Sequence, residues 1–194
     1  ASKPRHVAIS LTGEPTFYEH LGELIRLLHK KGLTTFLVSN GTRPLKLLDL
    51  PKEPTQLYIS VCAPNKDVFK RLCRPKMNGS WEKLNETLSC LSSFTCPTVI
   101  RMTLVEGYNM KHLDEYAKII QKTTPTYIEA KAYMHIGYSG LRLSYNRMPN
   151  HKKILKFSEE LSKKTGYKII DQSKESRVVL LSKRETPIKF NRSN

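Results

Sequence analysis

The chain has 194 residues, of which 33 are Lys or Arg and 17 are Asp or Glu, and its net charge is +16 with His neutral. This length suffices for one domain with a hydrophobic core, and no apolar run reaches the roughly 18 residues that a membrane-spanning helix needs. We therefore expect a soluble cytoplasmic protein that does not bind membranes. An excess of positive charge this large favours a nucleic acid as partner, and the alternative is a Lys-rich surface that serves solubility alone.

Strand and helix patterns alternate along the chain, as in α/β proteins. In a parallel sheet the carboxyl ends of the strands meet at one edge, where ligands bind. Strands are predicted at 6–11, 34–38, 56–61, 99–104 and 127–132, with a final pair at 167–171 and 177–181. Helices are predicted at 17–31, 44–48, from 65 or 67 to 73, 81–91, 109–122 and 149–165, and the polar tail 184–194 is predicted to fray.

The first strand stops at Gly13-Glu14-Pro15, and the second stops at Ser39-Asn40-Gly41. A carboxylate at a strand end can accept hydrogen bonds from an ammonium group, and glycine lets a ligand approach the backbone. These residues therefore predict a polar binding site at the ends of two neighbouring strands. The alternative for the first of them is a solvated turn, with proline in the first turn of a helix.

Charged residues also lie within two predicted strands. Arg101 shares a strand face with Thr103, and Glu129 shares one with Lys131. Arg101 could hold a carboxylate bidentately, or it could form a structural pair with Glu129. Lys131 could act as a Schiff-base nucleophile, as in aldolases, or it could position substrate electrostatically.

Two segments concentrate positive charge. Residues 70–76 contain four basic residues and no acid, and residues 142–168 contain eight basic residues and two acids. Contacts from such segments to phosphates would give affinity without sequence reading, and the tyrosines near the second segment could stack on unpaired bases. The alternative is a solvated helix face. Those tyrosines are Tyr133, Tyr138 and Tyr145.

The four cysteines, Cys62, Cys73, Cys90 and Cys96, have no spacing typical of a metal site. We therefore predict no metal site built from them and expect free thiols in a reducing compartment. Cys62 follows the third strand and is predicted to face the ligand-binding edge.

Five strings stand out along the chain: His6 to Pro15, Thr55 to Ser60, Thr103 to Asn109, Tyr133 to Ser139 and Ser176 to Leu181. In this order they resemble the 4-demethylwyosine synthase family, which comprises the radical S-adenosylmethionine (SAM) enzymes of the wybutosine pathway in archaeal and eukaryotic tRNA. The resemblance extends over residues 4–183, which would form one domain followed by the tail 184–194. It implies an incomplete (β/α)6 barrel of the radical-SAM type, an α/β fold missing its first strand and carrying a terminal strand pair.

The resemblance also implies cofactors. SAM would be bound by Gly13, Glu14, Pro15, Ser39, Asn40, Gly41, Ser60 and Thr103. The [4Fe–4S] clusters of the complete enzyme would not be ligated by this chain, because the family carries the cluster cysteines N-terminal to the Gly-Glu-Pro strand. The sequence departs from the family at Cys62, where the family usually has Asp, so a carboxylate for ribose or substrate contacts is missing at this position.

The implied reaction condenses N1-methylguanosine, 3′ to the anticodon of phenylalanine tRNA, with carbons of pyruvate. The enzyme would be a carbon–carbon lyase and a monomer, and this chain alone would be inactive without cluster cysteines. Its catalytic candidates are Lys131 and Arg101. Its candidate tRNA contacts are Arg71, Arg74, Lys76, Tyr133, His135, Tyr138, Arg142, Lys152 and Lys153. The alternatives are a non-catalytic RNA-binding barrel and a metal-free aldolase-like lyase that uses Lys131.

Overall fold

A computed structural model describes residues 4–10 and 13–190 of the chain. Within these ranges the chain forms seven strands, six α-helices and four 3-10 helices. The strands are β1 (His6–Ile9), β2 (Thr34–Ser39), β3 (Gln56–Ser60), β4 (Thr98–Leu104), β5 (Tyr127–Ala132), β6 (Lys168–Ser173) and β7 (Val178–Ser182). The α-helices are α1 (Leu21–Lys30), α2 (Pro44–Leu48), α3 (Lys66–Cys73), α4 (Ser80–Ser89), α5 (Leu113–Thr123) and α6 (His151–Thr165). The 3-10 helices are Pro15–Phe17, Leu91–Ser93, Gly137–Leu141 and Tyr145–Arg147.

All seven strands form one sheet in the order β1-β2-β3-β4-β5-β7-β6. The first five strands are parallel, whereas β7 pairs antiparallel with both β5 and β6. The sheet is not closed, because β1 and β6 lie at its two edges. The prediction of a mixed α/β fold with a parallel sheet and a terminal strand pair is therefore confirmed. None of the helices in the described ranges is long and apolar enough to cross a membrane.

One face of the sheet packs against the helices and forms the hydrophobic core. Alternate strand residues such as Leu37, Ile59 and Met102 are fully buried there with side chains of α1, α4 and α6. The period of two in the strands places the intervening residues on the opposite face. We call this second face the open face. Its members include Phe36, Tyr58, Ser60, Arg101, Thr103, Glu129 and Lys131.

The open face is filled at one end and accessible at the other. At the amino ends of the strands Gln56, Val99 and Tyr127 are buried. Residues of the C-terminal tail reach this end: the Ile188 N–H donates to Tyr127 Oη at 2.7 Å, and the ring of Phe190 lies 5.6 Å from that of Phe36. These contacts hold Ile188 and Phe190 against the sheet, so the prediction that the tail frays does not apply to these two residues. At the carboxyl ends Ser60, Arg101, Thr103 and Lys131 are only partly buried.

Two helices start later than the sequence pattern predicts. The prediction of a helix from residue 17 is wrong because Pro15–Phe17 forms a 3-10 helix and α1 begins at Leu21. The prediction of a helix from Asn109 is wrong because the Asn109 side chain is buried and binds backbone instead. Its amide oxygen accepts from the Val105 N–H at 2.7 Å, and its Nδ2 donates to the carbonyls of Cys62 and Thr103, each at 2.8 Å.

Candidate functional site

Glu14 ties the carboxyl ends of β1 and β2 together. Its Oε1 accepts from the Thr16 hydroxyl at 2.8 Å, the Thr16 N–H at 3.2 Å and the Ser39 hydroxyl at 2.7 Å. Its Oε2 accepts from the Asn40 N–H at 2.7 Å. The structure therefore brings together three residues that the sequence predicted as one site. Because an ionised carboxylate has about four acceptor positions, donors of this chain already occupy most of those of Glu14.

Two glycines of the predicted SAM site differ in what surrounds them. Gly13 has φ +80°, and a Cβ there would meet no atom of the described residues within 4 Å, so Gly13 itself is accessible from that side. Gly41 has φ +69°, and a Cβ there would lie 2.8 Å from Leu84 Cδ1 and 3.2 Å from Ile59 Cγ2. Gly41 is therefore packed against the hydrophobic core on the side that a Cβ would occupy, and its contact with SAM stays a prediction.

A cavity of about 340 Å³ lies beside the ends of β2 and β3. Asn40, Ser60 and Cys62 line it together with Cys73 and Lys76 from the α3 side. Burial raises the pKa of the Cys62 thiol and raises that of Cys73 to about 12. Both cysteines are therefore protonated thiols at neutral pH, and a thiol is a weaker nucleophile than a thiolate. Among the residues described, no group of three or more His, Cys, Asp and Glu is placed to hold a metal ion.

Arg101 and Glu129 form an ion pair across neighbouring strands of the open face. Arg101 Nε lies 2.8 Å from Glu129 Oε1, and Nη2 donates to Oε2 at 3.3 Å. The Arg101 guanidinium lies 4.6 Å from the centroid of the Tyr58 ring. Burial and the nearby Glu129 carboxylate raise the pKa of Tyr58. Of the two sequence-based interpretations of Arg101, the structural pair is the contact observed.

Lys131 and Thr103 lie opposite each other in the register of β4 and β5, two residues beyond the Arg101–Glu129 pair. Both are partly buried on the open face. No ion pair of Lys131 occurs within the part of the chain that the structure describes. The carboxyl end of this face therefore presents an ammonium group close to an arginine whose charge is balanced by a carboxylate.

The two basic segments meet in space. The Arg71 guanidinium lies 5.4 Å from the centroid of the Tyr108 ring, and that of Arg147 lies 5.5 Å from it. Arg142 Nη1 donates to the Leu72 carbonyl at 3.3 Å, and Lys153 forms an ion pair with Glu106. We call the surface formed by Arg71, Tyr108, Arg142, Arg147 and Lys153 the basic rim, because it follows the carboxyl ends of β3, β4 and β5. Sequence reasoning did not identify Tyr108, although Tyr108 lies within one of the five resembling strings.

Other predicted basic contacts lie elsewhere. Arg74 ends α3 in a left-handed conformation, Lys76 lines the cavity, and Lys152 is exposed at the start of α6. Further along α6, Lys164 pairs with Asp114 at 2.6 Å. A helix rises about 1.5 Å per residue, so the lysines in the last turn of α6 lie well away from the basic rim.

The predicted stacking tyrosines differ in exposure. Tyr133 is only 4% exposed. Its hydroxyl donates to the Leu143 carbonyl at 3.2 Å and lies 3.2 Å from His135 Nδ1. The prediction that Tyr133 stacks on a base is therefore wrong. Tyr138 and Tyr145 are 89% and 68% exposed, and the ring of His135 lies edge-on to that of Tyr145 at 5.9 Å.

Comparison with known proteins identifies the superfamily to which the chain belongs. Residues 1–120 match the family model described as the radical SAM superfamily, and residues 122–183 match the model described as wyosine base formation. The chain belongs to the radical SAM superfamily. A domain of pyruvate-formate lyase-activating enzyme from Bacteroides vulgatus shares the fold, with a TM-score of 0.62 over 82% of this chain and 94% of that one at 16% identity.

The more similar relatives are tRNA 4-demethylwyosine synthases that depend on S-adenosyl-L-methionine. The chain is 45% identical to the synthase of Pyrococcus abyssi, and the match covers 93% of this chain and 54% of that synthase. It is 40% identical to the synthase of Saccharomyces cerevisiae, and this match covers 81% of this chain and 20% of the yeast protein. A solved structure of TYW1 with a lysine-pyruvate adduct bound superposes with a TM-score of 0.84 at 42% identity, over 92% of this chain and 57% of that one. The chain thus spans about half the length of the Pyrococcus abyssi synthase and of the TYW1 structure, and about a fifth of the length of the yeast synthase.

Proposed function

We propose that this chain supplies the SAM-binding and tRNA-binding part of a tRNA 4-demethylwyosine synthase. The reaction would condense N1-methylguanosine, 3′ to the anticodon of phenylalanine tRNA, with carbons of pyruvate. The observation that carries the proposal is the convergence of the Glu14, Asn40 and Ser60 strand ends beside a cavity that lies next to the basic rim. The enzyme would act in the cytoplasm as a monomer.

The finer description of the fold belongs to the same proposal. The open sheet corresponds to an incomplete (β/α)6 barrel that lacks its first strand, and β6 with β7 is the terminal strand pair. The position of β1 at the edge of the sheet supports this description. Residues 1–183 would form this domain, and residues 184–194 would form its tail.

The residues at the strand ends fit the methionine end of SAM. The turn at Gly13 is open, and Glu14 fixes that turn against Ser39 and Asn40. Asn40 and Ser60 line the adjoining cavity and offer further polar atoms. When bound, SAM and a [4Fe–4S] cluster supply one-electron chemistry. The cluster ligands are assigned to a part of the enzyme other than this chain. Glu14 acts here as a positioning residue, because its oxygens already accept hydrogen bonds from this chain.

The open face fits a small carboxylate substrate such as pyruvate. Glu129 balances the charge of Arg101, whereas Lys131 presents its ammonium group at the same end of the face. Lys131 would attract and orient the substrate carboxylate, and Thr103 opposite it would add a hydroxyl. A Schiff base on Lys131, as in aldolases, is the second candidate. Trapping with borohydride in the presence of pyruvate, followed by peptide mass spectrometry, separates the two roles of Lys131.

The overall function is tested by exchanging this chain for the matching half of the Pyrococcus abyssi synthase. The chimera, after reconstitution of its clusters, should convert N1-methylguanosine in phenylalanine tRNA, and nucleoside mass spectrometry detects the product. A chimera that folds and binds tRNA but leaves N1-methylguanosine unchanged would favour the non-catalytic RNA-binding barrel. The melting temperature of the chimera, compared with that of the parent synthase, shows whether it is folded.

A further inference from the structure

We propose that the exposed aromatic segment 136–145 is a stacking platform for unpaired bases of an RNA loop. The inference rests on the proposed function, because it specifies how the tRNA substrate is held beside the site. It assigns the contacts to Tyr138 and Tyr145, with Ile136 and Leu141 providing apolar surface around the two rings.

The composition and exposure of this segment point to a ligand. Four large apolar or aromatic side chains lie within ten residues, and each is at least 68% exposed. Contiguous exposed apolar surface of this kind is unusual on a soluble domain unless it binds something. The four side chains are Ile136 (70% exposed), Tyr138 (89%), Leu141 (82%) and Tyr145 (68%).

Hydrogen bonds anchor the backbone of the segment at its base. The buried Tyr133 donates from its hydroxyl to the Leu143 carbonyl at 3.2 Å, and Arg142 Nη1 donates to the Leu72 carbonyl at 3.3 Å. At the far end, the Glu106 N–H donates to the Arg147 carbonyl at 2.9 Å. Such anchoring lowers the entropy that is lost when a ligand binds.

The charges around the segment select RNA as the occupant. Arg142 and Arg147 lie in the same stretch of chain, and Arg71 reaches the segment's base through Tyr108. An apolar segment of a protein would gain nothing from these guanidinium groups, whereas an RNA loop offers phosphates for the arginines and base faces for the tyrosines. A duplex offers phosphates alone, because its bases are stacked on one another. The arrangement therefore favours an unpaired loop.

The test compares two RNA probes: a hairpin with a seven-nucleotide unpaired loop, and a blunt duplex with the same number of phosphates. Replacing both tyrosines, Tyr138→Ala with Tyr145→Ala, should weaken hairpin binding by about fivefold to 100-fold for each base that stacks, since this is what stacking on one aromatic side chain contributes. Duplex binding should change by less than about twofold. The slope of log affinity against log salt should stay the same, because stacking releases no counterions.

Conservative variants and a matched control sharpen the result. Tyr138→Phe with Tyr145→Phe should restore hairpin binding, because the ring and not the hydroxyl stacks on the base. Tyr18→Ala removes another exposed tyrosine, 52% exposed after the first 3-10 helix, and should leave hairpin binding unchanged. A 2-aminopurine base in the hairpin loop should change its fluorescence with the parent chain but not with the double alanine variant.

The outcomes of these experiments distinguish a failure of the stacking proposal from a failure of the proposed function on which it rests. If the parent chain binds neither hairpin nor tRNA, both are overturned. If the parent binds both and Arg71→Gln weakens them while the double alanine variant binds as tightly as the parent, the platform alone is overturned. Equal weakening of hairpin and duplex by the double alanine variant would also overturn it, because the tyrosines would then not be reading unpaired bases.

Discussion

At the scale of single residues, Glu14 illustrates how a predicted ligand contact can also hold the fold together. Replacing Glu14 with Ala leaves the Ser39 hydroxyl and the Asn40 N–H without their acceptor. We expect the free energy of unfolding to fall by about 1–3 kcal/mol, the range for unsatisfied partly buried donors. Urea denaturation measures this change, and Glu19→Ala, at an exposed glutamate nearby, is the matched control. Equal stability of the two variants would show that Glu14 has no structural role.

Arg101 and Glu129 give a second prediction at this scale. Arg101→Ala removes the partner of a carboxylate whose side chain is only 14% exposed. We expect the free energy of unfolding to fall by about 2–4 kcal/mol, because a largely buried charge without a partner destabilises the folded state. The double variant Arg101→Ala with Glu129→Gln should lose less than the sum of the two single losses. Strict additivity in urea denaturation would mean that the pair does not interact.

The same residues show where sequence reasoning succeeds and where it fails. Residues next to strand ends, such as Glu14 and Asn40, could be assigned to one site because parallel strands align their carboxyl ends. The burial of Tyr133 and the exposure of Tyr138 could not be separated, because both tyrosines lie in one irregular segment without a periodic pattern. The packing of Gly41 against Leu84 depends on α4, which is distant in sequence.

At the scale of elements, Glu53 links the segment before β3 to the segment before β4. Its carboxylate accepts from the Thr95 N–H and hydroxyl and from the Cys96 N–H at 2.7–3.1 Å. Burial alone would raise the pKa of Glu53, but the hydrogen bonds from Thr95 and Cys96 outweigh burial and lower the pKa below its usual value of 4.5.

A pH dependence follows from this lowered pKa. A carboxyl group whose pKa is lowered by folding stabilises the folded state above its unfolded pKa, and this contribution disappears as pH falls through the folded pKa. The parent chain should therefore lose more stability below about pH 4.5 than Glu53→Gln does, since glutamine does not titrate. Thermal unfolding between pH 3 and pH 6 measures the difference, and identical profiles would contradict the assignment.

The elements themselves were predicted better than their boundaries. All seven strands lie where apolar, β-branched runs occur, and α6 begins near its predicted start because Asn150 caps it by accepting from the Lys153 N–H. The start of α5 was misplaced because Asn109 satisfies backbone groups of its own loop and of the loop after β3. Contacts of this kind depend on tertiary packing, which no local pattern encodes. The meeting of the two basic segments at Tyr108 depends on tertiary packing in the same way.

At the scale of the whole molecule, the basic rim predicts how tRNA binding depends on salt. About six phosphate contacts would give a slope of log affinity against log salt near −5. Arg71→Gln and Arg147→Gln should each make the slope shallower by about one, because each removes one phosphate contact. Lys30→Gln and Lys31→Gln lie at the C-terminal end of α1, outside the basic rim, and are matched controls because each also removes one positive charge. Equal effects of all four substitutions in a filter-binding titration would mean that the charge acts diffusely.

The contact between Phe190 and Phe36 has a consequence for measurement. The tail spans the open face from Tyr127 on β5 to Phe36 on β2, so its position depends on the separation of these two strands. A solvent-sensitive fluorophore attached in place of Phe190 would therefore respond when the sheet flexes. Because this contact lies at the amino ends of the strands, the label would not touch ligands bound at the carboxyl ends. The tail thus offers an optical reporter of strand movement during substrate binding.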